Sequence, residues 1–317
     1  MNKKIIFSIF VTVMAMVFAG CDKNNNNNFS GANENSTGIF KLPTDGNSQN
    51  PYAFLGEMHN KGLAEGLREF YHSDLNKADV TEKEIANFAS QFTVKFVEGE
   101  IVKMENVSDV EALRANLQTS IEKSNFQWFA TAKLENVSAE VAKSGLTKFQ
   151  KEKLIALFNV ISINDDALVG KLQAFEVEIL QSNVSDSEKA PLLAAIAISR
   201  SSLDFWTKHI ISDNANSSML KSSSSNPSIV MVEEKGDIFI KINEGEGFRI
   251  RQHILDAFKA DALGAVGGVI GGVIGGHAGV GLVFGPGGVV CTLAADAVIG
   301  AISSSIVGGT GSVFNWW

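Results

Sequence analysis

The sequence predicts a mainly α protein with an N-terminal helical bundle, a short β-hairpin in a linker, and a C-terminal apolar helical hairpin with a glycine zipper. Helix-start signals and apolar residues at helical spacing recur between residues 51 and 211. From Ala262 to Trp317, Asp296 is the only charged side chain. Glycines recur every four residues in this apolar stretch, and Gly285-Pro286-Gly287-Gly288 interrupts it with a turn signal.

The composition narrows the classes of function. The chain has 317 residues, enough for one large domain or two ordinary ones, and a formal net charge of -8. A negative chain without a basic patch is not expected to bind nucleic acid or to be drawn electrostatically to anionic lipid. The sequence contains no nucleophile elbow, P-loop or paired-cysteine motif. We therefore expect no enzyme activity and no cofactor.

Residues 1–21 have the organisation of an export signal. Lys3 and Lys4 supply a positive start, and the apolar run that follows is short for a membrane span. Small residues directly before Cys21 resemble a bacterial lipobox, which implies cleavage there and attachment of acyl chains such as palmitate to Cys21. An ordinary secretory signal is the alternative. We expect an exported protein that is lipid-anchored in the outer membrane or at the cell surface, or released outside the cell.

Residues 22–50 are rich in Asn, Gly and Ser and poor in apolar side chains. Such a segment buries too little apolar surface to offset the entropy of ordering it. We interpret it as a disordered tether between Cys21 and the folded part of the protein.

Residues 51–211 are predicted to form the helical domain. Four segments fit the capping box, in which a hydroxyl accepts from a free backbone N–H and an acid or amide three residues later bonds back: Thr81–Glu84, Ser108–Glu111, Thr147–Gln150 and Ser185–Glu188. Ser138 is read as a further helix start. Helical spacing then predicts buried stripes, one of them made of Leu154, Leu157, Phe158 and Ile161, and another that ends near Trp206.

The start of this domain also contains the residue types of a metal site. The candidates are Glu57, His59, Glu65, Glu69 and His72. The two histidines are too far apart to lie on one helix face in an HExxH-type pair. Ordinary polar surface and hydrogen-bonded histidines are the favoured interpretation, and no metal is predicted.

Residues 212–251 are predicted to be a linker with a β-hairpin. Ser212 to Pro227 has the composition of a flexible segment, and two β-rich runs follow, Ser228–Glu233 and Asp237–Ile242. Basic residues in exposed linkers are targets for trypsin-like proteases. Lys221, Arg249 and Arg251 are therefore candidate cleavage sites for an activating protease, with an uncut linker as the open alternative.

Residues 252–317 carry the strongest pattern. Two glycine ladders merge into one strip on a helix, because residues four apart share a face. The strip consists of Gly264, Gly267, Gly268, Gly271, Gly272, Gly275, Gly276 and Gly279. Each interior glycine costs a helix about 0.8–1 kcal/mol in water, whereas in a bilayer a glycine strip lets a second helix approach closely. The strip therefore predicts membrane packing and self-association.

The same segment has the length and the turn of a hairpin of two spans. Ala262–Phe284 and Val289–Val307 flank the turn at Pro286 and Gly287, and each is long enough, or nearly so, to cross about 30 Å of hydrocarbon. Asp296 and His277 are the intramembrane polar residues; Asp296 is expected to face a partner helix, a pore lumen or water. Conditional insertion is favoured over a permanent anchor or a hairpin buried inside a soluble domain.

Three stretches together resemble helical lipoproteins of Bacteroidota. They are Asn50–Leu63, with its GEMHNKGL run, Ile198–Trp206, and the glycine ladder. The family implies no catalytic residues. The tail alone resembles the membrane-active segments of bacteriocins and the apolar hairpin of pore-forming colicins. The colicin resemblance covers the hairpin alone. Our first hypothesis is a secreted or surface lipoprotein toxin that permeabilises the membranes of related bacteria, with the lipid bilayer, further copies of itself and a target-cell receptor as partners. A non-toxic envelope lipoprotein that uses the zipper for anchoring or assembly is the alternative.

Overall fold

The computed structural model describes residues 50–76, 80–104, 114–115, 117–119, 134–163, 167–213, 229–243, 247–274 and 289–314. It confirms the prediction of a mainly α protein. The elements in chain order are α1 (Ala53–Tyr71), α2 (Glu82–Met104), α3 (Leu134–Lys143), α4 (Lys148–Ile161), α5 (Leu168–Gln181), α6 (Asp186–His209), β1 (Ile210–Asp213), β2 (Ile229–Glu234), β3 (Asp237–Asn243), α7 (Gly247–Ile274) and α8 (Val289–Phe314).

Two of the predicted capping boxes form in full. Thr147 caps α4, with reciprocal bonds between its hydroxyl and backbone and the backbone and amide of Gln150. At the start of α2, the Thr81 N–H donates to Glu84 Oε2 at 2.8 Å, and the Glu84 N–H donates to Thr81 Oγ1 at 3.3 Å. Two donors without a partner in the helix are satisfied in each case. The Ser108 box lies outside the described residues.

Two helix-start predictions differ from the structure. Ser185 is the N-cap of α6, but its hydroxyl lies 3.1 Å from a carboxylate oxygen of Glu188 and makes no capping bond to a backbone N–H. Ser138 lies inside α3, between the buried Val137 and Val141, so the prediction of a helix start there is wrong. A hydroxyl near a helix start is compatible with either position, and the packing of the neighbouring valines decided this one.

The predicted β-hairpin is confirmed and joins a small sheet. The strand order is β1-β3-β2, with β2 antiparallel and β1 parallel to β3. Lys235 and Gly236 form the turn with positive φ values of 55° and 90°, which matches the twist of the flanking strands. β1 was not predicted, and it includes Ser212 and Asp213, where the sequence suggested the start of the linker. The strand follows α6 directly and ties that helix to β3.

The centre of the fold is the pair α7 and α8, referred to below as the hairpin. It packs against α1, α2 and α6, referred to below as the cage. The apolar face of α7 that was expected to meet lipid is buried against protein in this state. Its buried members include Val266, Val269 and Ile270, and on α8 they include Val298, Ile299 and Ile302. The hydrophobic effect favours this burial, just as it would favour transfer of the same side chains into lipid.

The predicted lead-in helix and the first predicted span form one continuous helix, α7. Ile250, Ile254 and Phe258 are buried in its first turns, as their spacing indicated. Among the described residues, no helix combines the length and the apolar character needed to cross a bilayer. Residues 275–288, which complete the two predicted spans and the turn, lie outside the described part of the chain.

Candidate functional site: the hairpin and its polar layer

The face of α7 that meets α8 is made of glycine, and this glycine face comprises Gly264, Gly268 and Gly272. A methyl group at Gly268 would lie 1.9 Å from the backbone oxygen of Asp296, and one at Gly264 would lie 2.5 Å from the backbone oxygen of Gly300. Real side-chain carbons do not approach backbone oxygens so closely. The two helices are therefore in backbone-to-backbone contact, which no other residue type permits here.

The contact is reciprocal, because α8 also places a small residue at the crossing. A methyl group on Gly300 would lie 2.2 Å from the backbone oxygen of Gly264 and 2.9 Å from the backbone nitrogen of Gly268. Asp296, which is 2% exposed, lies next to Gly272, where an added methyl group would be 1.9 Å from Asp296 Oδ2. Asp296 thus faces its partner helix in the folded chain.

The cage uses the same device where α1 crosses its neighbours. A methyl group at Gly56 would lie 2.7 Å from the backbone oxygen of Ala197 in α6. At Gly62 and Gly66 the nearest atoms are the δ-methyl groups of Ile302 and Ile306 in α8, at 2.5 and 2.7 Å. The hairpin therefore sits closely against α1 as well as being tightly paired within itself.

A buried carboxyl group joins the hairpin to the cage at the level of Ser305. Asp261 of α7 is 0% exposed, and its Oδ2 accepts from Ser202 Oγ at 2.6 Å and from Trp206 Nε1 at 2.7 Å, both in α6. His59 Nε2 of α1 lies 3.5 Å from the same oxygen and 3.2 Å from Ser305 Oγ of α8. These five residues, His59, Ser202, Trp206, Asp261 and Ser305, are called the Asp261 layer.

Asp261 binds with one oxygen only. Its Oδ1 is buried and has no hydrogen-bond partner among the described residues. A buried polar atom without a partner costs about 1–3 kcal/mol, more if it is charged. The layer therefore holds four helices together through a group that is itself under-satisfied.

The contact of His59 with Asn60 indicates which ring nitrogen carries the proton. Asn60 Nδ2 donates to the backbone oxygen of Ser201 at 2.9 Å, so Asn60 Oδ1 is the atom 3.0 Å from His59 Nδ1. An amide oxygen only accepts, and the proton of the neutral ring therefore lies on Nδ1. His59 Nε2 is then an acceptor that faces Ser305 and Asp261.

The pKa values of the two groups agree with this arrangement. Burial raises the pKa of Asp261 to about 7, against an opposing effect of the bonds from Ser202 and Trp206. Burial lowers the pKa of His59 to about 4, with the bond to Asn60 opposing. Between these values both groups are neutral, because an uncompensated charge in the core is costly. The two groups, with His59 Nε2 3.5 Å from Asp261 Oδ2, are therefore not an ion pair in that range.

The residues predicted as a metal site do not come together. His59 points into the core, whereas Glu57, Glu65 and Glu69 are exposed on the opposite face of α1. His72 lies beyond the end of α1, with Nε2 3.2 Å from a carboxylate oxygen of Glu233 in β2. In the described parts of the chain, no three His, Cys, Asp or Glu side chains are placed to share a metal ion.

The remaining predicted site residues are placed as follows. Gly267 and Gly271 are buried in α7. Arg249 and Arg251 lie in the first turns of the same helix, where the backbone does not have the extended form that a protease binds. Several predictions lie outside the described residues, namely those on Cys21, Lys221, Gly275, Gly276, His277, Gly279, Pro286 and Gly287.

Sequence reasoning missed Asp261 and its partners. A signal was available, because Asp261 follows Ile254 and Phe258 at the spacing that places all three on one apolar face of a helix. An acid on such a face needs donors. The sequence does not identify those donors, since Ser202 and Trp206 are more than fifty residues away along the chain.

No protein-family model matches the chain, and no curated protein or solved structure is detectably similar to it.

Proposed function

We propose that this protein is an exported antibacterial lipoprotein that stores an apolar glycine-zipper hairpin inside a helical cage and inserts it into the membranes of related bacteria. The observation that supports the proposal is the burial of α7 and α8 as a glycine-paired hairpin against α1, α2 and α6. The colicin-like apolar hairpin inferred from the sequence has the same need for a cover in water.

The contacts of the hairpin differ in whether lipid can replace them. Contacts between the cage and apolar side chains such as Val269 can be replaced by acyl chains at little cost, because lipid tails are as apolar as those side chains. The backbone contact at Gly268 and Gly300 has no such substitute, since lipid does not fit between the helices. The hairpin therefore moves as a pair, and copies of the paired hairpin associate in the membrane once the cage has opened.

The cage supplies the water-facing surface before insertion. α1 presents Glu57, Lys61 and Glu65 to solvent on the face opposite the hairpin. Lys61 Nζ lies 2.8 Å from Glu100 Oε2 in α2, so the cage helices are also paired at the surface. Such pairs contribute little stability each, and their role here is to keep an apolar core covered.

In this proposal, the lipid anchor at Cys21 attaches the exported protein to the cell envelope. Proteolytic release is retained as part of the proposal, with Lys221 as the candidate site. Cleavage after Arg249 or Arg251 requires the start of α7 to unwind first, because both residues lie in that helix.

A reversible cross-link between hairpin and cage tests the proposal. Ser303 Oγ of α8 donates to Thr93 Oγ1 of α2 at 3.1 Å, and both residues are buried. A Thr93→Cys/Ser303→Cys variant, made with Cys291→Ser and refolded under oxidising conditions, places two sulfur atoms within bonding reach. We expect the oxidised protein to release no dye from phosphatidylethanolamine–phosphatidylglycerol vesicles and the reduced protein to release it at the rate of the Cys291→Ser parent.

The same preparation provides its own control, because only the disulfide differs between the two states. Equal leakage from cross-linked and reduced protein would show that the hairpin does not leave the cage to act. An overlay of the reduced and oxidised forms on lawns of related bacteria extends the comparison to living targets, and growth inhibition is expected from the reduced form alone.

The alternative is a non-toxic envelope lipoprotein whose hairpin is a permanent core. The Asp261 layer favours it, because a buried, hydrogen-bonded polar group is typical of a core with one fixed arrangement. On this alternative neither form of the cross-linked protein damages vesicles or cells.

A further inference from the structure

We propose that the Asp261 layer is the latch that retains the hairpin in the cage, so that breaking this one layer opens the hairpin while the rest of the cage stays folded. The inference rests on the proposed function for its purpose, but the opening itself is measurable without a membrane. It is carried by the position of the layer, by the helices that it joins, and by the unpartnered oxygen of Asp261.

The layer lies apart from the glycine face along the hairpin. Gly264 lies beside Gly300, and Gly268 lies beside Asp296, so the two hairpin helices run antiparallel. Asp261 lies near the middle of α7 and precedes the glycines of that face, and Ser305 lies beyond Gly300 on α8. The bonds of the layer to the cage are therefore separate from the glycine contact that pairs α7 with α8.

The layer connects α1 and α6 of the cage to the hairpin. Ser202 and Trp206 reach Asp261 from α6, and His59 reaches both Asp261 and Ser305 from α1. Each of these contacts crosses between cage and hairpin. The glycine face, by contrast, lies within the hairpin. Loss of the layer thus releases cage contacts and leaves the pairing of α7 and α8 in place.

The hydrogen bonds of the layer are costly to break one at a time. Removing one partner of a buried hydrogen bond leaves the other unsatisfied and is destabilising, whereas replacing both partners by apolar groups of the same shape is nearly neutral or stabilising. Among the residues that the structure describes, Asp261 Oδ1 already has no hydrogen-bond partner. The layer therefore stabilises the closed arrangement less than an apolar layer of the same shape would. A contact that has to release the hairpin needs this lower stability.

Hydrogen exchange on the full chain is the first test. Asp261→Ala removes the acceptor of Ser202 and Trp206; Trp206→Phe removes one donor and keeps a ring in place. Asp256→Asn is the matched control, since Asp256 is exposed on the same helix. We expect exchange in α7 and α8 to rise at least tenfold in Asp261→Ala and about threefold in Trp206→Phe, with α4 and α5 unchanged and the control like wild type.

A variant that replaces the polar groups of this contact together tests the direction of the effect on exchange. Ser202→Ala/Trp206→Phe/Asp261→Leu replaces both donors and the acceptor together, and the smaller ring makes room for the larger residue at 261. We expect its hairpin exchange to be at or below the wild-type rate. Equal acceleration in every helix of Asp261→Ala, or acceleration in the triple variant that exceeds that of Trp206→Phe, would overturn the latch, because either result means that the layer supports the fold as a whole.

Vesicle leakage separates this inference from the proposed function. With both correct, Asp261→Ala releases dye about tenfold faster than wild type and the triple variant releases it more slowly. Local opening without any leakage supports the latch and contradicts the membrane function. Leakage that is equal in wild type, Asp261→Ala and the triple variant supports the function and contradicts the latch.

Discussion

α7 makes two contacts of opposite chemistry along its length. At Gly264 and Gly268 it meets the backbone of α8, and the fit is so close that an added methyl group at Gly268 would lie 1.9 Å from a backbone oxygen. Seven residues earlier, Asp261 accepts hydrogen bonds from α6 and lies 3.5 Å from His59 of α1, and its Oδ1 has no partner in the part of the chain that the structure describes. Both contacts are fully buried.

The comparison separates pairing from retention. Close backbone contact depends on shape alone and is insensitive to pH, while a buried carboxyl depends on donors, on protonation and on every neighbour that satisfies it. The hairpin is therefore held together by geometry and held in place by polar chemistry. The predictions below test each half of this distinction, beginning with the largest expected effect.

Gly268→Ala should disrupt the close backbone contact between α7 and α8. The methyl group has no space beside the Asp296 backbone, so the helices must separate and lose contacts along their length. We expect the free energy of unfolding to fall by about 3 kcal/mol or more, measured by urea denaturation. Gly99→Ala is the control, because its methyl group meets nothing within 4 Å inside α2. It should stabilise the protein by up to about 1 kcal/mol, and a gain at both sites would mean that helix propensity, not fit, decides.

The pH dependence of the free energy of unfolding tests the polar contact between Asp261 and His59. Asp261 has a raised folded-state pKa, so its contribution to stability is lost as pH rises from its unfolded value through about 7. His59 has a lowered one, so its contribution is lost as pH falls from 6.5 through about 4. The groups facing the pair from α6 and α8 are Ser202, Trp206 and Ser305, which do not titrate in this range.

Between about pH 4 and 6.5 these two effects oppose each other. The unfolded pair carries its one proton on the imidazole, and the folded pair carries it on the carboxyl, so folding takes up no net proton. Removing either partner should expose the other. Relative to wild type, His59→Gln should lose about 1.4 kcal/mol per pH unit as pH rises through this range, and Asp261→Asn should lose it as pH falls. Parallel pH profiles for all three proteins in denaturant titrations would contradict the pairing.

Ser303→Ala should have a moderate effect. Its hydroxyl donates to Thr93 across the contact between hairpin and α2, and the loss of one neutral buried hydrogen bond costs about 1 kcal/mol. A double-mutant cycle with Thr93→Val isolates the pair, and we expect a coupling energy of at least about 0.5 kcal/mol. Strict additivity of the two substitutions would show that the bond contributes nothing to retention.

Lys61→Met should have the smallest effect. The Lys61 amine is nearly half exposed where it meets Glu100, and exposed ion pairs contribute about 0–1 kcal/mol. We expect a change within about 0.5 kcal/mol by chemical denaturation and no change in hairpin exchange. A larger effect would place part of the retention at the surface of the cage.

Particular residues show what the sequence could predict. The spacing of Leu154, Leu157 and Phe158 predicted the buried face of α4, and the Thr147 box predicted where that helix starts. Both are local, because a helix repeats its faces every three to four residues. β1 and the position of Ser138 were not predicted, since a short apolar run and an isolated hydroxyl take their structure from distant partners.

By itself, the sequence determined that the last quarter of the chain forms apolar helices with a strip free of side chains, because glycine spacing and the near absence of charge are local properties. Only the tertiary structure decided what covers those helices in water and which donors reach Asp261. Ser202, Trp206 and His59 come from helices far apart in the chain, and the bonds that they make depend on where those helices pack. A pattern of spacing specifies a face, whereas the partner of that face is set by the burial of the whole chain.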